Sequence, residues 1–498
     1  MAHTIDATLF PPPSHGKSTK NPLNPRTWSG VTHSSTQALQ GILSDNHKRW
    51  HVFFNEKGFH NHTAHAALTL WCLGADESIL ARSYEESKKE QRSAYSSPQS
   101  ITKKNWIEHL GDENYYQAYM DFFKSELEQK DFKVEAVLEE YIFSAGANFI
   151  AGAAKQPEML NRFFDGLLHP MIHTGLGLEF GLPGTFIEGI AQAAVHRGDS
   201  TNLLPPDMFA KSTVQGLTSR LATTLGLKDA QPAPAKDDVH AFTVLARVLA
   251  DPTITPTTVP EQYGFYRKLV ADRGAAVKKY SDQWTLEGDL QKKLEELIWT
   301  NVLIYAVGGA ESSGDFNADF FHMHLVTSSI FLSSIFSHLE RSSQILLLRG
   351  YFSVCLGWYI GRGRPALDIA RFFSNTETLL PSAPGPTPTP NEAAHPSPTS
   401  PHAITPNPWL QILQSTLTHP DDHLPKLQRA LSEHASHFGQ TPKGTFVGTE
   451  LKDAELIDGT LFIRAAGLTA SRLGWVREGQ KPLEGLWDRR GFFSQAKL

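Results

Sequence analysis

The sequence predicts an all-α protein, a single large helical domain with a buried, histidine-lined metal site and a proline-rich surface insertion. Three observations predict it. Apolar residues recur at helical spacing over long stretches, runs with strand alternation are few, and several of the 22 histidines fall in three tight groups set in apolar sequence.

The elements follow in order. Residues 1–40, rich in Pro, Ser, Thr and Asn, predict an irregular segment on the surface. A single helical domain is expected over 41–495. Leu68, Cys72 and Leu73 follow His65 at helix spacing, and Phe122, Phe123, Leu127, Phe132, Val134 and Val137 recur less regularly. Gly184 to Val195 and Leu286 to Tyr305 are further helices, and the apolar run Phe331 to Ile360 is long enough for two packed ones. Gln231 to Asp238 and Asp251 to Pro260 are short Pro- and Thr-rich connections. Pro381 to Pro408 is a low-complexity stretch that reads as a flexible insertion before the helical Trp409 to Leu417.

Composition removes several classes of function. Charged residues are 20% of the chain and the net charge is −6, so no electrostatic footprint for nucleic acid exists. The densest basic run, Lys88, Lys89 and Arg92, is interleaved with Glu85, Glu86 and Glu90 and reads as a solvated helix face. Two cysteines, Cys72 and Cys355, exclude a disulfide framework or thiolate zinc cluster and read as core residues in a reducing compartment. No stretch has the length to span a bilayer, and the first residues lack the features of a secretory signal. The expected location is cytoplasmic, with a peroxisomal alternative because Ala496-Lys497-Leu498 differs by one small residue from Ser-Lys-Leu.

The chemistry is carried by histidine. His62 and His65 are three apart and His169 and His173 four apart, so each pair shares a helix face; His322 and His324 form the third group. Pro170 predicts His169 at an N-cap with the proline at the first helical position. Neutral imidazoles converging in apolar surroundings are costly unless hydrogen-bonded or metal-bound. His65, His169, His173 and His324 together read as metal donors, whereas His60 and His322 read as supporting or exposed groups. Imidazole ligation admits Fe, Zn, Cu or Ni. No Gly-x-Gly-x-x-Gly follows a strand; the nearest string, Gly175-Leu176-Gly177-Leu178-Glu179-Phe180-Gly181, has the wrong spacing, so no FAD- or NADPH-binding motif is visible. No P-loop, His-Glu-x-x-His or Gly-x-Ser-x-Gly signature occurs. Gly308 to Asp315 reads as an ordinary Gly-rich loop, and Gly361-Arg362-Gly363-Arg364-Pro365 as a helix stop first and an anion site second.

Asn61-His62-x-x-His65 with Leu73-Gly74-Ala75, His169-Pro170-x-Ile172-His173 and His324-Leu325-Val326-Thr327 resemble the questin oxidase-like family. So do Leu347-Leu348-Arg349, Gly361 to Pro365, Arg472-Leu473-Gly474-Trp475 and Trp487-Asp488, in the same order over residues 40 to 495. The resemblance implies a helical oxygenase of fungal aromatic polyketide and mycotoxin biosynthesis that opens an anthraquinone ring beside its carbonyl, with a Baeyer–Villiger-like outcome. It implies Fe(II) held by His65, His169, His173 and His324, with His62 as substitute or supporting ligand, and O2 as co-substrate. The family reaction has also been described as NADPH-linked, and this chain shows no NADPH-binding motif. Glu179 is expected as a base or histidine orienter, or else a surface carboxylate. Arg349 is expected to steady the carboxylate formed, or else to sit ion-paired at a helix end. A carboxylate or lysine carbamate would complete the donor set, yet no lysine occurs between Leu325 and Pro425, so a further ligand from that region would be Asp, Glu or water. The expected partners are an aromatic polyketide and other pathway enzymes. Competing readings are a flavin- or NADPH-linked monooxygenase, a metallohydrolase, and a polyketide-binding protein without turnover.

Overall fold

The computed structural model of the chain describes residues 5–14, 21–209, 238–254, 264–310 and 316–493. The terminal tripeptide 496–498, the connection 231–237, most of 251–260 and the end of the Gly-rich loop at 311–315 lie outside them.

The described residues are helical and form no strand, only isolated bridges such as Phe53 with His60. The helices are α1 (His33–Arg49), α2 (Thr63–Cys72), α3 (Glu77–Ser87), α4 (Tyr116–Gln129), α5 (Val134–Leu138), α6 (Met159–Phe180), α7 (Pro183–Val195), α8 (Ala241–Ala250) and α9 (Phe265–Ser281). They continue with α10 (Leu290–Gly309), α11 (Phe320–Ser329), α12 (Leu332–Phe336), α13 (Arg341–Gly361), α14 (Ile369–Ser374), α15 (Pro401–Ile404), α16 (Pro408–Leu417), α17 (Leu424–Phe438) and α18 (Thr460–Leu473). One apolar cluster runs through them from Leu9 to Trp487.

Local chemistry sets the boundaries. α1 begins at His33, inside the segment expected to be irregular, because Thr32 and Ser35 form a reciprocal capping box. The 122–137 periodicity breaks into α4 and α5 at Asp131 and Phe132, both left-handed. α10 starts at Leu290, four residues after Leu286, where the Asp289 side chain accepts the Gln291 N–H. The run 331–360 divides into α12 and α13. Between 381 and 407 the chain is mostly exposed, carries the one-turn α15, and is anchored where Pro381 lies against Gly467.

α6 is interrupted. Gly166, Leu167 and Leu168 all have positive φ, so a left-handed turn separates its first helical piece from the piece that begins at His169. Left-handed geometry costs roughly 1–2 kcal/mol at a non-glycine residue, so Leu167 and Leu168 are strained and depend on their burial. His169 is thus already helical and Pro170 is the second helical residue, one position later than the spacing predicts.

α6 and α7 form the closest helix pair. Gly181 takes the left-handed cap with its N–H on Gly177 O, and Pro183 opens α7. Gly177 rests on the Phe186 backbone and Gly189 on that of Thr174, so neither position has room for a Cβ. At the far side, Asp319 caps α11 and forms a buried ion pair with Arg362 at 2.6 Å. Arg362 therefore works as an internal tie. The thiols of Cys72 and Cys355 are buried, and burial pushes that of Cys72 up to about 11.

Gly177→Ala is expected to cost about 1–3 kcal/mol, because its Cβ meets backbone atoms that no rotamer change can move. Gly41→Ala, on α1 with nothing within 4 Å of its Cβ, is expected to gain up to about 1 kcal/mol. Denaturation midpoints of the two variants check both signs.

Candidate metal centre

α2, α6, α11 and α17 meet at one place and each brings an imidazole to it. His62 precedes the first turn of α2, His169 opens the second piece of α6, His324 lies in α11, and His423 precedes α17. Donor atoms of His60, His62 and His169 lie within 4.8 Å of one another, as do those of His169, His324 and His423, and of His62, Asp422 and His423.

The hydrogen bonds orient the rings. His169 donates from Nδ1 to Gly166 O at 2.6 Å, and His324 from Nδ1 to Phe320 O at 2.7 Å. His62 and His423 donate from Nδ1 to the two oxygens of Asp422, at 2.6 and 2.7 Å. Since those oxygens can only accept, each neutral ring keeps its lone pair on Nε2. Nε2 of His324 and of His423 are buried without a partner. Nε2 of His62 and His169 lie 2.8 Å apart, so with both Nδ1 atoms protonated their two lone pairs face each other and a shared cation would relieve them. Imidazoles in overlapping groups of three, with Nδ1 tied to oxygen and Nε2 left as the donor, fit a metal ion of the imidazole-binding class.

Electrostatics keep the rings neutral. Burial is the first cause that lowers the imidazole of His62, to about 4, and those of His169 and His324 well below the ordinary value. Three of the four rings stand at helix N-termini, whose positive ends also oppose an imidazolium. Burial alone would raise the Asp422 carboxyl, but His423 and His62 outweigh it and hold it well below the carboxylate range. The Asp422 side chain is 39% exposed and marks the solvent edge of the centre.

The structure draws His62, His169 and His324 together. His65 and His173 stand beside them as a hydrogen-bonded pair, 3.0 Å apart, with His173 bound onward to Glu188. His60 is buried and stacks on His169 at 3.9 Å, while its Nε2 meets that of His196 at 2.7 Å. Gly166 makes this stack feasible, since a Cβ there would strike the His196 and His60 rings. His322 is fully buried rather than exposed, and its ring stacks on Phe492. Glu179 is buried and ion-paired with Arg429. Arg349 donates to Ser281 O, over the Trp284 ring, and ties α13 to the end of α9.

Three residues escaped the sequence reading: Asp422, His423 and Lys426. Lys426 is the first residue beyond the lysine-free interval; it is buried, its Nζ has no partner, and burial lowers its ammonium. The signal was the fourth histidine group, His419-Pro420-Asp421-Asp422-His423, whose polar, proline-containing sequence reads as a loop. Asp421 accepts the His423 and Leu424 N–H groups and the Trp487 indole, and Asp488 binds Arg472 and the Ala318 N–H. The C-terminal motif thereby fixes the chain before α11 and before α17.

The fold and the centre define a helical protein built around buried imidazoles. Residues 59–431 match the family described as questin oxidase-like, and the chain belongs to that family of oxidoreductases. It is 28% identical to a Baeyer–Villiger oxidase of Pestalotiopsis fici over 67% of this chain and 71% of that one. It is 26% identical to a questin oxidase of Aspergillus fumigatus over 91% of this chain and 90% of that one. With a questin oxidase of Aspergillus terreus the identity is 25%, over 82% of each chain.

Buried rings of lowered pKa make stability depend on pH. His51, His62 and His322 are lowered to about 4 from 6.5, all with burial as the first cause. Their contribution is complete above pH 6.5 and is lost as pH falls toward 4, because only the unfolded chain takes up those protons. The melting temperature is expected to fall steeply between pH 6.5 and 4.5; a flat profile would contradict the neutral rings.

Proposed function

We propose that this protein is a non-haem iron oxygenase that opens the ring of an anthraquinone-type polyketide beside its carbonyl, in a fungal biosynthetic pathway. The observation that carries the reading is a set of overlapping imidazole triads whose members His62, His169, His324 and His423 all have Nδ1 on an oxygen, which leaves Nε2 as the donor atom. The relatives, a Baeyer–Villiger oxidase and a questin oxidase, favour oxygen chemistry over hydrolysis.

His62, His169, His324 and His423 would hold the ion, and Fe(II) there would supply activation of dioxygen. Asp422 keeps two of the rings in one tautomer. It is committed to both, so Lys426 is the residue placed to add an oxygen donor, as its carbamate. The aromatic substrate approaches from the Asp422 edge, where the cluster meets solvent. Among the described residues no helix is long and apolar enough to cross a membrane. His65 and His173, the other donors implied by the family resemblance, stand beside the centre, the His65 ring 5.5 Å from that of His62.

Elemental analysis of the purified chain is expected to return about one equivalent of iron, lost in His169→Ala and His324→Ala. Asp422→Asn is expected to weaken metal binding by roughly 10–100-fold while leaving the fold intact. Iron-loaded protein should consume dioxygen with questin. Zinc in place of iron, with hydrolysis and no oxygen uptake, would replace this reading with that of a metallohydrolase.

A further inference from the structure

The pair beside the centre is part of a longer chain. His65 Nε2 lies 3.0 Å from His173 Nδ1, His173 Nε2 lies 2.8 Å from Glu188 Oε2, and Glu188 Oε1 lies 2.7 Å from Nδ1 of the half-buried His47. A carboxylate can only accept, so neutral His173 carries its proton on Nε2 and offers a lone pair at Nδ1. That lone pair needs a donor, so His65 carries its proton on Nε2. Neutral His65 is then left with a bare Nδ1, and this atom is buried without a partner.

His65 lines a small cavity, with space for about one water molecule, together with Thr69, Ile172, Phe331, Lys426 and Arg429. Lys426 Nζ and Arg429 Nε are buried without partners as well. A group that fills this space has to donate to the His65 lone pair and accept from the Arg429 guanidinium, and from Lys426 Nζ where that amine is not carbamylated. A hydroxyl does both. A carboxylate or phenolate oxygen would face the His65 lone pair unfavourably, and a methyl ether has no proton to give.

We propose that this cavity is a hydroxyl-binding subsite in which His65 Nδ1 is the acceptor and Glu188 is a positioning residue acting through His173. The hydroxyl belongs either to the substrate or to an ordered water. Assigning it to the substrate rests on the oxygenase reading; the tautomer of His65 does not. Glu188 stays ionised in its buried place because the hydrogen bonds from His173 and His47 outweigh burial and hold its carboxyl down to about 2.

Nitrogen-15 spectra of the histidine-labelled full chain, unloaded or zinc-loaded, read the tautomer directly, with the His65 signals assigned by their loss in His65→Gln. A protonated Nε2 and an unprotonated Nδ1 are expected; the reverse pattern overturns the proposal, whether or not the protein turns over. With iron, 1,8-dihydroxyanthraquinone and its dimethyl ether are then compared as probes. His65→Phe is expected to lower kcat/KM for the dihydroxy compound about tenfold or more at unchanged metal content. A loss confined to that compound assigns the hydroxyl to substrate, and an equal loss for both assigns it to water. No loss with either, in a protein that turns them over, overturns the subsite. Glu188→Gln is expected to share the loss and Glu188→Asp to recover part of it; a Gln variant equal to wild type removes Glu188 from the role. Absence of turnover in the unaltered protein counts against the oxygenase reading and leaves the tautomer result standing.

Discussion

A neutral imidazole at the middle of this protein keeps its Nε2 lone pair free when its Nδ1 proton has a fixed oxygen to go to. Each of the four central rings meets that condition, two on backbone carbonyls and two on one carboxylate. Much of the surrounding structure holds those oxygens still. The left-handed turn at Gly166 to Leu168 aims a carbonyl at His169, and the Asp319 cap with its Arg362 partner fixes the start of α11. Trp487 and Asp488 then brace the loops that deliver His423 and His324.

The α6–α7 seam serves the same end from beside the centre. Glycine contacts at Gly177 and Gly189 let α7 approach closely enough for Glu188 to reach His173. α6 thus presents His169 to the centre, His173 to its supporting chain and Glu179 to Arg429 along a single piece of helix. A shift of α7 would be felt at His65 without any central ring changing partner.

The all-helical class was legible because apolar spacing alone locates α7, α10 and α13, whose buried residues are numerous. Of the centre, the spacing pointed to His62, His169 and His324 as neighbours of apolar helix faces. It did not separate His65 and His173 from them, since a shared helix face does not reveal which nitrogen is committed to another side chain. His423, Asp422 and Lys426 were hidden for a different reason. They sit at the junction of a polar loop and a helix, where composition signals solvent, and the burial of His423 and Lys426 comes from α2 and α11, distant in sequence. The turn at Gly166 was likewise unreadable, because two leucines with positive φ break the local rule and are held by their burial.

Asp422 joins His62 to a loop 360 residues away along the chain. On the ribosome, His62, His169 and His324 leave the exit tunnel well before His423, Asp422 and Lys426 exist, so the growing polypeptide holds an incomplete donor set for most of its synthesis. Closure of the imidazole cluster is therefore a late event that waits for nearly the whole chain, and a truncated translation product would carry most of the helices yet lack the clasp that closes it.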